Sequence, residues 1–200
     1  MVMHEPNDKR LVAVDPSMGG DECVLYAFNN TEVIGELILR ERDTMKVTGE
    51  IMLFMKKHDC VDVAIDSIGI GAGIADRLSE LGMKVIRINS ATSLDSKKFL
   101  NLRANMWWYA MEVIQGKNCY YPADDRCRKQ LTSLRYKVMN SEGKIQAELK
   151  VDYKKRNGES PDRADCWVYG IWALQFVEYR KKDAYRRSRE VEYPYNPATC

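Results

Sequence analysis

Two aspartates stand where apolar segments of the chain end. Asp15 closes the run LVAVD at 11–15, and Asp66 closes VDVAID at 61–66. Each run predicts a buried strand, and each is followed by a Gly-containing turn. A single strand-end aspartate is more often a turn former. Two of them at the carboxyl ends of neighbouring parallel strands would lie side by side in the usual site crevice of an α/β sheet, and their repulsion favours a bound divalent cation.

A second acidic pair lies in the segment SPDRADCW. Asp162 and Asp165 are three residues apart, so a helix that begins here places both on one face. Asp162 also fits a simpler capping role, because acids are stabilised near a helix N-terminus. Asp165 lies a turn deeper among apolar neighbours, where an unpaired carboxylate is costly. We therefore expect Asp165 to have a partner, and a metal ion would serve.

Carboxylates that converge without histidine or thiolate make a hard oxygen site, which suits magnesium or manganese. Two such ions roughly 3.5–4 Å apart can activate a water molecule and stabilise the leaving oxygen of a phosphodiester. The aspartates would then act as metal ligands rather than as the sole acid and base. The residue types alone thus predict metal-dependent phosphodiester chemistry.

The elements that must position these acids follow the order βββαβαβ in the first half of the chain. The pair Asn29-Asn30 suits a tight turn between the second and third strands. This order predicts an α/β fold whose mixed sheet has three antiparallel strands followed by parallel strands, flanked by helices. Strands are predicted at 11–15, 23–30, 31–39, 61–66 and 84–89, and helices at 44–58 and 74–82.

In the second half of the chain, the sequence pattern predicts three helices and an added β-hairpin. The hairpin pairs RYKVMN at 135–140 with KIQAELKV at 144–151, and the hydrophilic stretch KKRNGE reads as a connection. The last helix should have Ser160 as its N-cap and Pro161 at its first helical position. The other two helices are predicted at 101–115 and between Pro122 and Leu134.

The length and composition fit one domain. Of the 200 residues, 45% are hydrophobic, so we expect a core at 11–180, with a leader or linker remnant at 1–10 and a charged flexible tail at 181–200. No apolar run approaches the roughly 20 residues that cross a membrane, and no secretory signal precedes the domain. Six scattered cysteines without CxxC spacing argue against zinc. These features predict a soluble, intracellular protein without a membrane partner.

The net charge of +2 does not by itself indicate a nucleic-acid-binding protein. The basic residues are nevertheless clustered, and local basic patches beside acidic pockets suit a protein that touches phosphates and also holds cations. Any single cluster is more simply an ordinary solvated surface. The clusters lie at Lys97-Lys98, at Lys150 with Lys154, Lys155 and Arg156, and at 181–189.

Several segments fit the pattern of one known family when they are taken together. They are DPSMGGDE, VAIDSIGIGAG, NLRANMWW, and LTSLRYKVMNSEGKIQAELK leading through KKRNGESPDRADCW. In this combination the chain resembles the C-terminal nuclease domain of phage terminase large subunits over about residues 11–175. The segment SPDRAD is the most specific part of the resemblance. That family has an RNase H-like fold, which it shares with RuvC resolvases and retroviral integrases.

The resemblance implies a set of metal ligands for two magnesium or manganese ions. Asp15, Asp66 and Asp165 match the family's main ligands, and Asp162 matches a supplementary one. Asp21 matches a further acidic position near the metals in some relatives, although a plain turn aspartate explains it equally well. The implied activity is a largely sequence-nonspecific endonuclease that cuts concatemeric viral duplex DNA during genome packaging.

The resemblance also implies where DNA and the other parts of a packaging motor would bind. The hairpin at 136–151 matches a family element near the active site that guides DNA. The implied partners are a terminase ATPase domain, a small terminase subunit and a portal protein, in the host cell cytoplasm. The residues expected to contact DNA phosphates are Lys150, Lys154, Lys155, Arg156 and Arg103.

One departure from the family concerns ATP. Full-length terminase large subunits carry a GxxxxGK[ST] phosphate loop, which this sequence lacks, and Gly69, Gly71 and Gly73 do not supply one. We therefore expect an isolated nuclease half that neither hydrolyses ATP nor moves DNA alone. Three alternatives remain: a RuvC-like junction resolvase, an actin-like ATPase that lacks its second phosphate-binding domain, and a catalytically weak module that only docks the motor.

Overall fold

A five-stranded mixed sheet lies at the centre of the protein. The structure, a computed structural model, describes residues 8–18, 20–120, 122, 124–139 and 143–179, so most of the predicted leader and the whole tail lie outside the described residues. The spatial order of the strands is β3-β2-β1-β4-β5. The strands are β1 (Arg10–Asp15), β2 (Cys23–Asn29), β3 (Glu32–Leu39), β4 (Asp62–Asp66) and β5 (Lys84–Ile88).

The directions of the strands follow the predicted pattern. The three strands β1, β2 and β3 pair antiparallel, whereas β1 pairs with β4 and β4 pairs with β5 in parallel. The turn between β2 and β3 contains Asn30 in the left-handed region, with φ 50°, a conformation that asparagine tolerates better than most residues. The predicted fold class, an RNase H-like mixed sheet, is confirmed.

Helices cover both faces of the sheet and give two apolar cores. On one face, α1 (Thr44–Lys57) and α2 (Ile70–Glu80) pack against side chains such as Val12, Val14 and Ile65. On the other face lie α3 (Leu102–Gln115), α4 (Asp125–Ser133) and α6 (Asp162–Ala173). Alternate residues of β1 enter the two cores, as expected for a strand whose side chains alternate between faces.

Helix α6 lies unusually close to the sheet. A Cβ atom added at Gly170 would meet the Phe28 ring at 2.1 Å, so only glycine permits this packing. The thiol of Cys166 lies 3.3 Å from the carbonyl oxygen of Ala13 and 3.2 Å from that of Val24, so both oxygens are within reach of its one S–H donor. The first turns of α6 are therefore held directly above β1 and β2.

The segment after the hairpin differs from its prediction. The hairpin is short, with β6 (Tyr136–Val138) and β7 (Ile145–Ala147), and part of its turn lies outside the described residues. The predicted strand to Val151 and the connection KKRNGE were wrong, because α5 (Lys150–Asn157) occupies this stretch. The helix buries Tyr153 and ends at Gly158, whose φ of 80° fits a left-handed helix end.

Two helix starts also differ from their predictions. The N-cap of α6 is Pro161 rather than Ser160, because the Ser160 hydroxyl binds the side chain of Asp162 instead of capping the backbone. Helix α2 begins at Ile70 rather than at residue 74, so two glycines predicted to break the chain are helical. Within the described residues, none of the helices has the length and apolar character needed to cross a membrane.

Candidate metal centre

Asp15 and Asp66 lie next to each other at one edge of the sheet. They are the last residues of β1 and β4, and these parallel strands are in register up to the pair Val14 and Ile65. Both carboxylates are mostly buried, with exposed fractions of 4% and 8%. The strand-end pattern thus brings two acids into the crevice that parallel strands form at their carboxyl ends.

Helix α6 brings two more acids to the same edge. Asp162 and Asp165 lie on its first turns, 8% and 0% exposed. Between them in sequence, Arg163 contacts a different group of acids and anchors the start of the helix. Its guanidinium binds Glu22 at 3.0 Å and Asp124 at 2.7 Å. This anchor fixes the rotation of the helix that keeps both aspartates beside β1.

Asp165 is held by several charged and polar groups. The guanidinium of Arg103 donates to both of its oxygens, at 3.0 and 3.3 Å, and the indole N–H of Trp107 donates to Oδ1 at 2.8 Å. Burial alone would raise the pKa of Asp165, but Arg103, Lys150 and the Trp107 hydrogen bond outweigh it and hold the pKa below its ordinary value. Asp165 is therefore a buried carboxylate that stays ionised.

The ammonium group of Lys150 lies among three of the four acids. Its Nζ atom is 3.0 Å from Asp15 Oδ2, 3.3 Å from Asp165 Oδ2 and 3.7 Å from Asp162 Oδ1. These acids surround one positive charge, and they raise the pKa of Lys150 against the lowering effect of burial. Lys150 thus keeps its charge and occupies the position where the carboxylates converge.

The two strand-end acids have raised pKa values. Burial raises the pKa of Asp15 to about 8, with Lys150 opposing this shift and the neighbouring Asp165 adding to it. Burial also raises the pKa of Asp66, although the backbone N–H of Ile68 and the hydroxyl of Tyr169 donate to its oxygens at 3.1 and 3.0 Å. A bound cation would therefore stabilise the ionised forms of both acids.

Asp162 and Asp21 lie at the outer side of the cluster. The hydroxyl of Ser160 donates to Asp162 Oδ1 at 2.5 Å, and burial raises the pKa of this acid. Asp21 is more exposed, with 41% of its side chain accessible, and Lys154 binds it at 2.6 Å. Asp21 is near enough to Asp162 to raise its pKa, so it lies at the rim of the site.

The residues predicted to contact DNA occupy two different environments. Arg103 and Lys150 lie inside the acid cluster, where Arg103 also donates to the carbonyl oxygen of Glu148 at 2.5 Å. Lys154, Lys155 and Arg156 are exposed residues of α5, and of these Lys154 binds Asp21 at the rim of the site while Arg156 binds Glu148. Phosphate binding by Arg103 stays a prediction, but its contacts in this structure are those of a residue that positions Asp165.

Sequence reasoning missed the groups that hold the acids in place. Trp107 follows Arg103 by four residues in α3, so both side chains lie on one helix face. The segment NLRANMWW was recognised, but no feature of it indicated which tryptophan would bind a carboxylate. Tyr169 has the same i, i+4 relation to Asp165 in α6, and this spacing was the available signal.

The four carboxylates of the cluster are suitable ligands for a divalent cation. Four carboxylates offer only hard oxygen ligands, the kind that magnesium and manganese prefer. In the part of the chain that the structure describes, however, no group of three or more acidic, histidine or cysteine side chains is arranged to hold a metal as it stands. The ammonium of Lys150 lies among these acids, 3.0 Å from Asp15 Oδ2 and 3.3 Å from Asp165 Oδ2.

Comparison with known proteins gives a consistent result for the fold. No protein-family model and no curated protein matches the chain. Among solved structures, the nuclease domain of the large terminase subunit gp2 of bacterial virus Sf6 matches with a TM-score of 0.67 at 18% identity, over 85% of this chain and 90% of that chain. This chain has the fold of phage large-terminase nuclease domains.

Nucleases of other phages share this fold. The large terminase nuclease from thermophilic phage G20c with bound magnesium matches with a TM-score of 0.66 at 12% identity, over 84% of this chain and 83% of that one. The large terminase nuclease domain of Thermus phage P74-26 matches with a TM-score of 0.64 at 12% identity, over 85% and 82%. The Sf6 domain also has a manganese-bound structure, and the G20c nuclease has a cobalt-bound one.

Proposed function

We propose that this chain is a metal-dependent endonuclease that cuts concatemeric viral duplex DNA during genome packaging. The observation that carries the proposal is the convergence of Asp15, Asp162 and Asp165 on one ammonium group at the edge of the sheet that also presents Asp66. These four acids outnumber the two cationic groups that contact them, Lys150 and Arg103, so their ionised forms carry an excess of negative charge, which a divalent ion would neutralise. The terminase nuclease fold supports the choice of DNA as substrate.

Each carboxylate would have its own part in binding two magnesium or manganese ions. Asp15 would contact both ions, Asp165 would hold one, and Asp66 the other, with Asp162 in support. Bound divalent ions supply a water of lowered pKa and neutralise charge at the phosphodiester. The protein contributes the fixed orientation of its acids, because Arg103 and Trp107 hold Asp165 and Tyr169 holds Asp66.

Duplex DNA would be bound by the exposed basic side of α5. Lys154 binds Asp21 at the rim of the acid cluster, and Lys155 and Arg156 follow it at exposed positions of the same helix, where phosphates can approach. Contacts of this kind carry no sequence information, which supports cutting that is largely independent of sequence. A packaging ATPase domain, a small terminase subunit and a portal protein are the proposed partners, and the host cytoplasm is the proposed location.

A plasmid assay tests the proposed activity and its site together. Supercoiled plasmid is incubated with the protein and manganese, magnesium or EDTA, beside the variant Asp66→Asn. We expect nicking and linearisation that need the metal and disappear in the variant, because asparagine keeps the shape of Asp66 but not its charge. Equal cutting by both proteins would mean a contaminant or a misassigned site. No cutting by either protein at high manganese would favour a docking module.

The affinity for manganese is expected to increase as pH rises from about 6 to about 9. Burial raises the pKa of Asp15 to about 8, so this carboxyl is largely neutral below that pH and must lose a proton to bind a cation. The stability of the metal-free protein has the opposite pH dependence and falls as pH rises. The unfolded chain ionises Asp15 from about pH 4, so the raised folded pKa lowers stability as pH rises toward about 8.

Calorimetric manganese titrations at several pH values check this dependence. Repeating them at one pH in buffers of different ionisation enthalpy counts the protons that are released on binding. An affinity that stays constant across this range, with no proton released, would contradict the raised pKa of Asp15.

A further inference from the structure

We propose that Tyr136 of the hairpin binds an unpaired DNA base beside the acid cluster, so that the protein prefers duplexes with a melted segment to fully paired ones. This inference rests on the proposed function and names a substrate class for the same site. Four features point to it: an exposed tyrosine ring, the aromatic rings behind that tyrosine, the lysines around it and its place next to the acid cluster.

Three aromatic side chains form a patch where the hairpin meets α3. This aromatic patch consists of Phe99, Trp108 and Tyr136. The rings of Trp108 and Tyr136 meet edge to face with their centroids 5.7 Å apart, and the centroid of Phe99 lies 6.0 Å from that of Trp108. Phe99 is 9% exposed, whereas Tyr136 is 60% exposed. Phe99 and Trp108 therefore support a tyrosine that is mostly open to solvent.

The hairpin that carries Tyr136 is fixed to the rest of the domain. The backbone N–H of Ile145 donates to the carbonyl oxygen of Lys98 at 2.7 Å, and that of Leu100 donates to the carbonyl oxygen of Ile145 at 2.9 Å. Tyr136 pairs with Ala147, which is buried in a small apolar cluster between the hairpin and α3. A ligand on Tyr136 would therefore meet a ring that is already held in place, so little ordering is needed for binding.

The aromatic patch lies beside the acid cluster. The indole N–H of Trp107 donates to Asp165 at 2.8 Å, and the next residue of α3 is Trp108 of the patch. Trp107, Trp108 and Tyr136 together line one apolar cavity of about 110 Å³. Helix α5, whose first residue lies among the acids, begins three residues after the last residue of β7. A base on Tyr136 would therefore belong to a nucleotide close to the phosphodiester at the acid cluster.

The charges around the patch favour a nucleic-acid ligand over a protein partner. The ammonium of Lys98 lies 4.5 Å from the ring centroid of Trp108 and 5.1 Å from that of Phe99. Lys137 follows Tyr136 at an exposed position of β6. Lysine is depleted at the centre of protein–protein interfaces. Surfaces that bind single-stranded nucleic acid, in contrast, combine cationic groups for the phosphates with aromatic rings for the bases.

The stacked structure of DNA decides which base can bind to the ring. In an intact duplex both faces of an internal base are covered by its neighbours, so neither face is free for an aromatic side chain. A base that has left the stack can lie on Tyr136 while its phosphates stay near the lysines. This contact offsets part of the cost of unstacking. Every base has such a face, so binding of this kind does not depend on sequence.

Fluorescence of 2-aminopurine tests the stacking without any cutting. The probe is a short oligodeoxythymidine strand with 2-aminopurine at its centre, titrated with the full chain in EDTA. We expect the unaltered protein and Tyr136→Phe to quench the probe, because both present an aromatic ring at this position. Tyr136→Ala should bind about tenfold more weakly and quench little, a loss typical of one base stacked on one aromatic ring.

The variant Tyr179→Ala is the matched control. Tyr179 is 57% exposed and also has a lysine ammonium near its ring, that of Lys9 at 4.7 Å from the centroid. Lys9 precedes the first residue of β1, whereas Asp15 ends this strand, so Tyr179 lies at the opposite edge of the sheet from the acid cluster. Affinity for the strand and quenching should therefore stay as in the unaltered protein.

The second arm compares a fully paired duplex with the same duplex carrying a central bubble of mismatches. The unaltered protein should bind the bubble more tightly and, with manganese, cut it faster, and Tyr136→Ala should lose most of this preference. Circular dichroism checks folding, and Tyr136→Leu, which keeps an apolar side chain against Trp108, replaces the alanine variant if that variant unfolds.

The outcomes separate the base site from the nuclease. Equal affinity and equal quenching by the unaltered protein and the folded Tyr136 variant would overturn the base site, and so would equal binding of the bubble and the paired duplex. Metal-dependent plasmid cutting would in either case still support the nuclease. Binding of the strand that depends on Tyr136, without cutting of any DNA, would support the base site and contradict the proposed nuclease.

Discussion

The variant Arg103→Met is expected to lose about 3–5 kcal/mol of the free energy of unfolding. Asp165 is fully buried, and Arg103 supplies two of the hydrogen bonds that keep its charge in the interior. Among the described residues, removal of the guanidinium leaves this buried carboxylate with Lys150 and Trp107 as its charged and hydrogen-bonding partners. Urea denaturation of the metal-free protein measures the loss, and plasmid cutting should fall with it because Asp165 is no longer held in position.

A double-mutant cycle separates the lost ion pair from a general loss of packing. Asp165→Asn removes the buried charge, so adding Arg103→Met to it should cost much less than Arg103→Met costs alone. The variant Arg77→Met is a surface control, because Arg77 and Glu80 are 43% and 65% exposed in their side chains and such pairs contribute little. If Arg103→Met and Arg77→Met destabilise the protein equally, Arg103 does not hold Asp165.

The variant Gly71→Ala is expected to destabilise the protein by about 1–3 kcal/mol and to reduce cutting. A Cβ atom at position 71 would lie 1.8 Å from the carbonyl oxygen of Asp66 and 3.0 Å from the Pro16 ring. The first turn of α2 therefore touches the end of β4 and the residue after Asp15. Relief of the clash must move either the first turn of α2 or the backbone of Asp66, a candidate metal ligand, and both changes disturb the end of β4.

A neighbouring glycine gives the matched control for this prediction. Gly73 lies in the same turn of α2, is exposed, and has no atom within 4 Å of an added Cβ. Gly73→Ala should leave cutting unchanged and raise stability by up to about 1 kcal/mol, because alanine is the better helix former. Thermal unfolding and plasmid cutting of the two variants check both effects. A Gly71→Ala protein that matches Gly73→Ala in both would contradict the proposed close approach.

The positions of the sheet strands along the chain could be predicted because the information is local. Short apolar runs such as LVAVD and VDVAID indicate buried strands by composition alone, and the acid at the end of each run is placed by the strand itself. The pairing of Asp162 with Asp165 on one face needed only the helical repeat. These positions depend on a few neighbouring residues.

Helix α5 could not be predicted in this way. Its sequence KVDYKKRN is polar and buries only Tyr153, so it has no apolar stripe that would reveal a helix. Its conformation is fixed by distant groups, among them Glu148 and Ser133 for Arg156, and Asp15 for Lys150. The same limit explains why the sequence predicts Lys150 as a contact for DNA phosphates and does not indicate its contacts with the acids of the site. The position of the Lys150 side chain depends on two acids. Asp15 is more than 100 residues away along the chain, whereas Asp162 is close in sequence.

The acids of the site come from elements that are far apart in the chain. Asp15 lies in the first described strand and Asp165 in the last described helix, and they meet only because α6 packs on β1. Contacts between such distant segments form late in folding, after the cost of closing the long loop has been met. A chain emerging from the ribosome therefore has no complete site until α6 has been synthesised and docked. A partly synthesised chain would therefore lack the proposed nuclease activity.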